Sequence, residues 1–331
     1  MKRSRVSSAN AGCFSAMEPE REKIAFLLHL VHCGNYVDAE KLAMAMTRDY
    51  PRVAIGWKLL GVVLQQTGRD KDALWPMQKA AELTPRDAGN FNDLGVLQKK
   101  LGRLKDAEAS YQHALILNPG MADVRYNLGN LLRERGLFKE AADCLRQAIT
   151  LKPDYADAHI SLGLVLRNQG KLAEAETCYR TAITLAPGSA VAYSNLGSVL
   201  HDLNRFPEAE NSYRQAIALQ PGLAAAHNNL GVTLRILGQL RAAEETLRRA
   251  ITINPNYPEA YNNLGNILRE ASRVEEAIGC YRQALKLKPD YAMAYSNLLF
   301  SLNYAAMATP EEVLPLARRW EQSVLSPQAR R

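Results

Sequence analysis

A repeat period of 34 residues constrains this chain more than any other feature of its sequence. The clearest copy spans residues 258–291, PEAYNNLGNILREASRVEEAIGCYRQALKLKPDY. Seven such repeats follow one another, and they begin at Ala54, Ala88, Ala122, Ala156, Ala190, Ala224 and Pro258. Because a fixed period of this length is typical of stacked repeats, we predict a single array rather than two or three separate globular domains.

Each repeat reads as two short amphipathic helices, and no strand pattern competes. The eighth position, inside the first helix, is always glycine: Gly61, Gly95, Gly129, Gly163, Gly197, Gly231 and Gly265. Since glycine costs roughly 1 kcal/mol relative to alanine in a helix, we expect it only where a second helix comes close. The small residues expected to face it are Ala73, Ala107, Ala141, Ala175, Ala209, Ala243 and Ala277. Prolines, which disfavour a helix before them, are expected to end each second helix: Pro85, Pro119, Pro153, Pro187, Pro221, Pro255 and Pro289.

These fixed positions resemble the tetratricopeptide repeat (TPR), and the resemblance covers most of the chain. Besides the glycine and proline, the motif includes an aromatic residue such as Tyr261 and alanines such as Ala277 and Ala284. The resemblance implies an all-α fold, a right-handed TPR superhelix (α-solenoid) of antiparallel helix pairs. It also implies that the first helices line a concave groove, and that the protein holds other proteins there.

The predicted organisation has four parts. Residues 1–19 are expected to form a flexible tail, 20–53 a degenerate first repeat, and 54–291 the seven clear repeats. Residues 292–331 are expected to hold a partial repeat and a capping or linker helix.

The predicted capping helix begins at Thr309, whose hydroxyl suits an N-cap, with a proline next to it. Pro315 lies inside this helix and is expected to bend or shorten it. Leu316 and Trp320 would share one face and cover the last repeat. Leu299 stands where the other repeats carry glycine.

Charge and hydropathy argue against membranes and nucleic acids as partners. The formal net charge is +7, but Lys2, Arg3 and Arg5 supply three of those charges on the expected tail. No apolar run approaches the ~20 residues that span a bilayer, and the N-terminus lacks the apolar core of a secretory signal. We therefore expect a cytoplasmic protein that binds proteins or peptides, with no membrane contact and no nucleic-acid partner.

Cysteine and histidine spacing predicts neither a disulfide framework nor a metal site. The five cysteines form no CxxC pair, and Cys144, Cys178 and Cys280 recur at one repeat position as expected buried thiols. His29, His32 and Cys33 have helical spacing but no fourth ligand nearby.

Catalytic motifs are also missing from the sequence. It has no phosphate loop and no nucleophile elbow. His159 and His227 occupy aromatic positions and are expected to pack. We therefore predict no cofactor, no metal and no enzymatic activity on this chain.

The sixth position of the repeat is the strongest candidate for partner binding. It holds Asn127, Asn195, Asn229, Asn263 and Asn297, here called the ladder asparagines. Asparagine is a poor helix former, yet a primary amide can both donate to and accept from a peptide backbone. A row of amides on the groove would grip an extended segment with little regard to its sequence. The alternatives are solvated side chains, or amides that tie adjacent helices together. Asp93 and Ser161 interrupt the row.

A second row occupies the twelfth position. Its cations are Lys99, Arg133, Arg167, Arg235 and Arg269, with His201 between them. If this row also faces the groove, it favours acidic residues of a partner. The alternative is that these cations complement the dipole at each helix C-terminus, an interaction of ~0.3–1 kcal/mol.

A narrower resemblance is to the TPR region of bacterial O-linked N-acetylglucosamine transferases. It is carried by VRYNLGNLLRE at 124–134, by AYNNLGNILRE at 260–270, and by YSNLLFSLNYAAMATPEEVLPLARRWEQ at 295–322. The last stretch resembles the linker that joins the repeats to the glycosyltransferase domain in that family. In that family the corresponding asparagines bind the acceptor polypeptide, which implies the same role here for Asn195, Asn229, Asn263 and Asn297.

This chain ends at Arg331, soon after the linker-like stretch, where that family continues into its catalytic half. Two interpretations follow. The first is a non-catalytic scaffold that holds a polypeptide segment in the groove of a TPR array. The alternative is the acceptor-binding arm of a truncated or split transferase, whose partner would be a separate glycosyltransferase catalytic subunit.

Overall fold

The computed structural model describes residues 18–303 and 309–325. All regular elements in those residues are α-helices, which confirms the all-α prediction. They form two compact bodies, residues 1–153 and 154–331, here called the N-terminal and C-terminal bodies. The expected tail lies almost wholly outside the described residues, although the first helix already begins at Glu18.

In the N-terminal body the helices alternate between first and second helices of successive pairs. They are α1 (Glu18–His32), α2 (Tyr36–Asp49), α3 (Ala54–Gln66), α4 (Asp70–Leu83), α5 (Ala88–Lys100), α6 (Leu104–Leu117), α7 (Ala122–Glu134) and α8 (Phe138–Leu151). Each first helix packs mainly on the second helix of its own pair, and the second helices α2, α4 and α6 also pack on the first helix that follows them.

The C-terminal body repeats this arrangement. Its helices are α9 (Ala156–Asn168), α10 (Leu172–Leu185), α11 (Ala190–Asp202), α12 (Phe206–Leu219), α13 (Ala224–Ile236), α14 (Leu240–Ile253), α15 (Pro258–Glu270), α16 (Val274–Leu287), α17 (Ala292–Leu302) and α18 (Pro310–Leu325). The expected prolines follow the second helices closely; α12, for example, ends at Leu219, two residues before Pro221.

The glycine of each first helix packs against a large side chain, and here the sequence prediction was wrong. A Cβ at Gly197 would lie 2.7 Å from the ring of Tyr213, and one at Gly129 would lie 2.7 Å from Cγ of Leu145. The predicted neighbours, such as Ala209, are fully buried but are not the closest atoms to that glycine. The glycine therefore makes room for a buried tyrosine or leucine four residues beyond the alanine.

The turn between the two helices of a pair needs a left-handed residue. Gly102, after α5, has φ +74°, and its N–H bonds to the Lys99 carbonyl. Two turns manage without glycine, because Asn204 and Ser272 adopt φ values of 59° and 61°. Glycine recurs at this position at the repeat period, which is the sequence signal for the turn.

The last helix begins after Thr309, as predicted, and packs against α17. Its length contradicts the expected shortening, because it continues through Pro315 to Leu325. Leu316 is half-buried, whereas Trp320 remains 38% exposed. The cover that these two residues give the last repeat is therefore only partial.

Two further features bear on the predicted chemistry. Cys144, Cys178 and Cys280 are half-buried, so they are less buried than the sequence predicted. Among the described residues, no helix is both long and apolar enough to cross a membrane.

Candidate functional site

The ladder asparagines lie half-buried on the first helices, and most of them tie two helices together. In the C-terminal body, Asn263 Nδ2 on α15 donates to Asn228 Oδ1 on α13 over 2.9 Å. Asn297 Nδ2 on α17 donates in the same way to Asn262 Oδ1 on α15, also over 2.9 Å. Position six of one repeat thus bonds to position five of the preceding repeat.

The N-terminal body contains the same contact. Asn127 Nδ2 on α7 donates to Asn92 Oδ1 on α5 over 3.1 Å. Asp93, which interrupts the asparagine row, forms an ion pair with Lys58 on α3 over 2.8 Å. The contact between position six and position five of the preceding repeat therefore does not require an amide. Two complementary polar side chains are sufficient.

Asn229 and Asn195 depart from this arrangement because of their neighbours. Asn229 Oδ1 accepts from Asn228 Nδ2 over 3.1 Å, and its own Nδ2 lies 3.5 Å from Ser198 Oγ. For Asn195 the residue at position five of the preceding repeat is Ile160, which can neither donate nor accept. Within the described part of the chain, the Asn195 amide has no hydrogen-bond partner.

These contacts match one of the alternatives drawn from the sequence, in which the amides tie adjacent helices. Each tie uses one N–H of the amide and leaves the carbonyl oxygen and the second N–H for other partners. Only Asn195 keeps the whole amide available, on the surface that the first helices share. The role of the row in binding a peptide stays a prediction.

Sequence reasoning missed the position-five partners, namely Asn92, Asn228 and Asn262. The sequence did contain a signal for these partners, because the segment AYNNLGN places two asparagines side by side. Asn228 and Asn262 are buried, at 6% and 0% exposure, and therefore belong to the helix–helix contact.

Several position-twelve cations also have partners in the neighbouring repeat. Lys99 pairs with Glu134 over 2.8 Å, at position thirteen of the next repeat. In the C-terminal body, Arg167 pairs with Asp202 and Arg235 with Glu270, each over 2.6 Å. The hydrogen bond to Asp202 raises the pKa of Arg167. These partly exposed pairs contribute ~0–1 kcal/mol each, and they reduce the charge offered to an acidic partner.

Arg133 and Arg269 differ because neither has a carboxylate partner among the described residues. Arg269 instead stacks its guanidinium 5.0 Å from the centre of the Phe300 ring. In both arginines Nε is buried and makes no hydrogen bond. Of the five cations predicted to contact acidic residues, Arg133 and Arg269 therefore have the most N–H donors without a carboxylate partner in the described residues.

His227 and Cys33 make local contacts. His227 is buried, and its Nε2 lies 3.0 Å from the Pro221 carbonyl oxygen, a structural contact. Cys33 Sγ lies 3.6 Å from His29 Nε2 at the surface. A search of the described residues finds no group of three or more side chains placed to hold a metal ion.

The sequence matches family models of one kind. A model described as tetratricopeptide repeat matches residues 92–143, 126–190 and 194–258. A second model with the same description matches residues 258–291. Together the matches cover more than half of the chain. A comparison with curated protein sequences finds no match.

Solved structures show the same fold. The APC/C hetero-tetramer Cut9-Hcn1 is 16% identical with a TM-score of 0.64, over 81% of this chain and 52% of that chain. PilF of Pseudomonas aeruginosa is 22% identical with a TM-score of 0.54, over 63% of this chain and 97% of that chain. This chain therefore spans about half the length of the Cut9-Hcn1 chain that it matches. At these identities the likeness concerns the fold alone.

Proposed function

Because the chain belongs to the tetratricopeptide repeat family, we propose that it is a non-catalytic scaffold that binds a segment of another protein. Solenoid repeats present extended surfaces, and such surfaces suit extended polypeptides. The first helices α9, α11, α13, α15 and α17 carry the polar rows of the C-terminal body. We assign the bound segment to the surface formed by these rows.

The Asn195 amide is the observation that carries this proposal. The Asn195 side chain is half-buried, and neither its carbonyl oxygen nor its N–H₂ group is engaged within the described residues, so both groups are open to a partner. A peptide backbone offers one N–H and one C=O, which are the two groups that an open amide needs. Asn195 would hold the bound backbone, and the tied asparagines would offer mainly their remaining carbonyl oxygens.

The test compares Asn195→Ala with Asn256→Ala, a change in an exposed inter-repeat turn. The natural chain is screened against a phage-displayed library of random dodecapeptides. The affinity of an enriched peptide for the natural chain and for both variants is then measured by fluorescence anisotropy. We expect Asn195→Ala to weaken binding about tenfold, the effect of one or two lost hydrogen bonds. Asn256→Ala should bind as the natural chain does. Equal binding by all three proteins would remove Asn195 from the site.

A second proposal is the acceptor-binding arm of a split glycosyltransferase, favoured by the wording of residues 295–322. In that case the chain would form a complex with a separate catalytic subunit. Material isolated from its native cells should then transfer N-acetylglucosamine from a radiolabelled UDP-sugar to bound protein, whereas the chain produced alone should not. Native material without transfer activity would count against this second proposal.

A further inference from the structure

A small polar cavity lies between three consecutive first helices of the C-terminal body. Its volume is about 110 Å³. It is lined by Arg167 from α9, by Ser198, His201 and Asp202 from α11, by Tyr213 from α12, and by Asn229 and Val232 from α13. Because it includes the ladder residue Asn229 and the position-twelve residues Arg167 and His201, it belongs to the surface assigned above to the bound segment.

The hydrogen bonds around His201 determine which of its nitrogens carries the proton. Thr233 Oγ1 donates its only proton to the Asn229 carbonyl oxygen over 2.9 Å. Thr233 Oγ1 also lies 3.1 Å from His201 Nδ1. Because its proton is already used, the hydroxyl accepts there, and His201 Nδ1 donates. In the neutral ring Nε2 is then a lone-pair acceptor. Burial lowers the pKa of His201, the Asp202 carboxylate raises it and the Arg167 guanidinium lowers it, and the net shift is downward, which favours the neutral ring.

The two charged residues that line the cavity neutralise each other. Arg167 Nε donates to Asp202 Oδ2 over 2.6 Å. The two hydroxyls are engaged as well, since Tyr213 donates to Ser198 Oγ over 3.1 Å and Ser198 donates to the Ser194 carbonyl oxygen. The groups left for a guest are the acceptor Nε2 of His201, the terminal N–H donors of Arg167, and the second N–H of the Asn229 amide.

This set of groups discriminates among the side chains of a bound segment. A carboxylate would face the lone pair of His201 and the charge of Asp202, and an ammonium group would face Arg167. An apolar side chain would leave the donors and acceptors unpaired, which costs roughly 1–3 kcal/mol for each buried group. A primary carboxamide has an N–H₂ for His201 Nε2 and a carbonyl oxygen for the N–H groups of Arg167 or Asn229.

We propose that this cavity is a side-chain subsite that selects an asparagine or glutamine of the bound segment. The inference rests on the proposed function, because the guest is part of a polypeptide held on the same first helices. Asn195 lies on α11, the helix that also carries Ser198, His201 and Asp202. The segment would thus be held by its backbone at Asn195 and read through one side chain at the cavity.

His201→Arg is the decisive variant, because arginine occupies the same repeat position in the repeats on either side, at Arg167 and Arg235. Position thirteen of the next repeat is Ile236, so the new guanidinium would gain no carboxylate from that position. The acceptor would become a donor with a positive charge, and the preferred guest should change from a carboxamide to a carboxylate.

The probe is again the phage-displayed library of random dodecapeptides, screened against the whole chain. We expect enrichment of asparagine or glutamine at one peptide position with the natural chain, and of aspartate or glutamate with His201→Arg. Gln65→Arg, which adds the same charge at the same position of a distant repeat, should keep the carboxamide preference. His201→Phe keeps a ring without the acceptor, and should lose the preference without acquiring the acidic one.

A synthetic peptide from the screen gives the quantitative arm. Changing its preferred carboxamide to the matching carboxylate should weaken binding to the natural chain about tenfold and strengthen binding to His201→Arg. Peptides that bind, respond to Asn195→Ala and show no carboxamide preference would overturn the subsite and leave the proposed function standing. A screen that enriches no peptide over background would overturn both.

Discussion

At the scale of single residues, one asparagine row contains two kinds of side chain. Asn263 is tied to the buried Asn228, whereas Asn195 has Ile160 at the matching position of the preceding repeat and no hydrogen-bond partner in the described part of the chain. The sequence showed the row, but it could not show this division, because the deciding residue lies one position earlier in the preceding repeat. Asn263 should therefore contribute to stability, and Asn195 should not.

Asn263→Ala should lower stability by about 1–3 kcal/mol, because it leaves the Asn228 oxygen buried without its donor. In a chain of this size the loss should appear as a fall of roughly 2–4 °C per kcal/mol in the melting temperature, followed by circular dichroism. Asn195→Ala is the matched control and should melt like the natural chain. Equal melting of both variants would mean that the ties do not stabilise the helix contacts.

The thiols offer a second prediction at this scale. Burial raises the pKa of Cys280 from 9.0 to about 11, so its thiolate fraction at pH 8 falls roughly a hundredfold. Cys33 is exposed at the surface. Iodoacetamide at pH 8 should therefore label Cys33 well before Cys280, as measured by peptide mass spectrometry over time. Comparable labelling rates would show that the α16 thiol is more accessible than its burial implies.

At the scale of elements, the helix pair depends on a glycine that admits a large side chain. Periodicity predicted the helices, and the prolines predicted where the second helices end. The periodicity did not identify the neighbour of Gly197, because Ala209 and Tyr213 lie four residues apart on one face of α12. Either residue satisfies the pattern, and only the packing shows that the ring of Tyr213 fills the space at Gly197.

Gly197→Ala tests this packing against a matched glycine. Alanine is the better helix former by roughly 1 kcal/mol, but its Cβ would lie 2.7 Å from the Tyr213 ring. We expect a net loss of about 1–3 kcal/mol, typical of an overpacked core. Gly279 lies exposed inside α16 with no atom within 4 Å of an added Cβ, so Gly279→Ala should stabilise by up to about 1 kcal/mol. Thermal melts of the two variants should move in opposite directions, and a shared direction would refute the packing argument.

At the scale of the whole molecule, the charge distribution bears on the class of partner. The net charge of +7 resembles that of a nucleic-acid-binding protein. Yet Lys99, Arg167 and Arg235 have carboxylate partners inside the array. Composition alone could not separate paired from unpaired cations, because the pairing joins residues 35 positions apart.

Binding of a peptide from the screen should therefore depend weakly on salt. Between about 50 mM and about 200 mM salt we expect less than a tenfold loss of affinity, measured by fluorescence anisotropy. A protein that neutralises many phosphates would lose roughly 10³–10⁵ over the same range. A labelled single-stranded oligonucleotide serves as the comparison. Tight binding of the oligonucleotide with a steep salt dependence would reverse the assignment of partner class.

The bond from position six to position five of the preceding repeat limits how an engineer could shorten this protein. Removing residues 224–257 would bring Asn263 to the register that Asn229 has in the natural chain, opposite Ser194 and near the Ser198 hydroxyl that could accept from it. Removing residues 190–223 would bring Asn229 opposite Ile160, and that junction would have no such acceptor. Two deletions of equal length thus leave repeat junctions that differ in one hydrogen bond, and the choice of which repeat to remove depends on a single side chain.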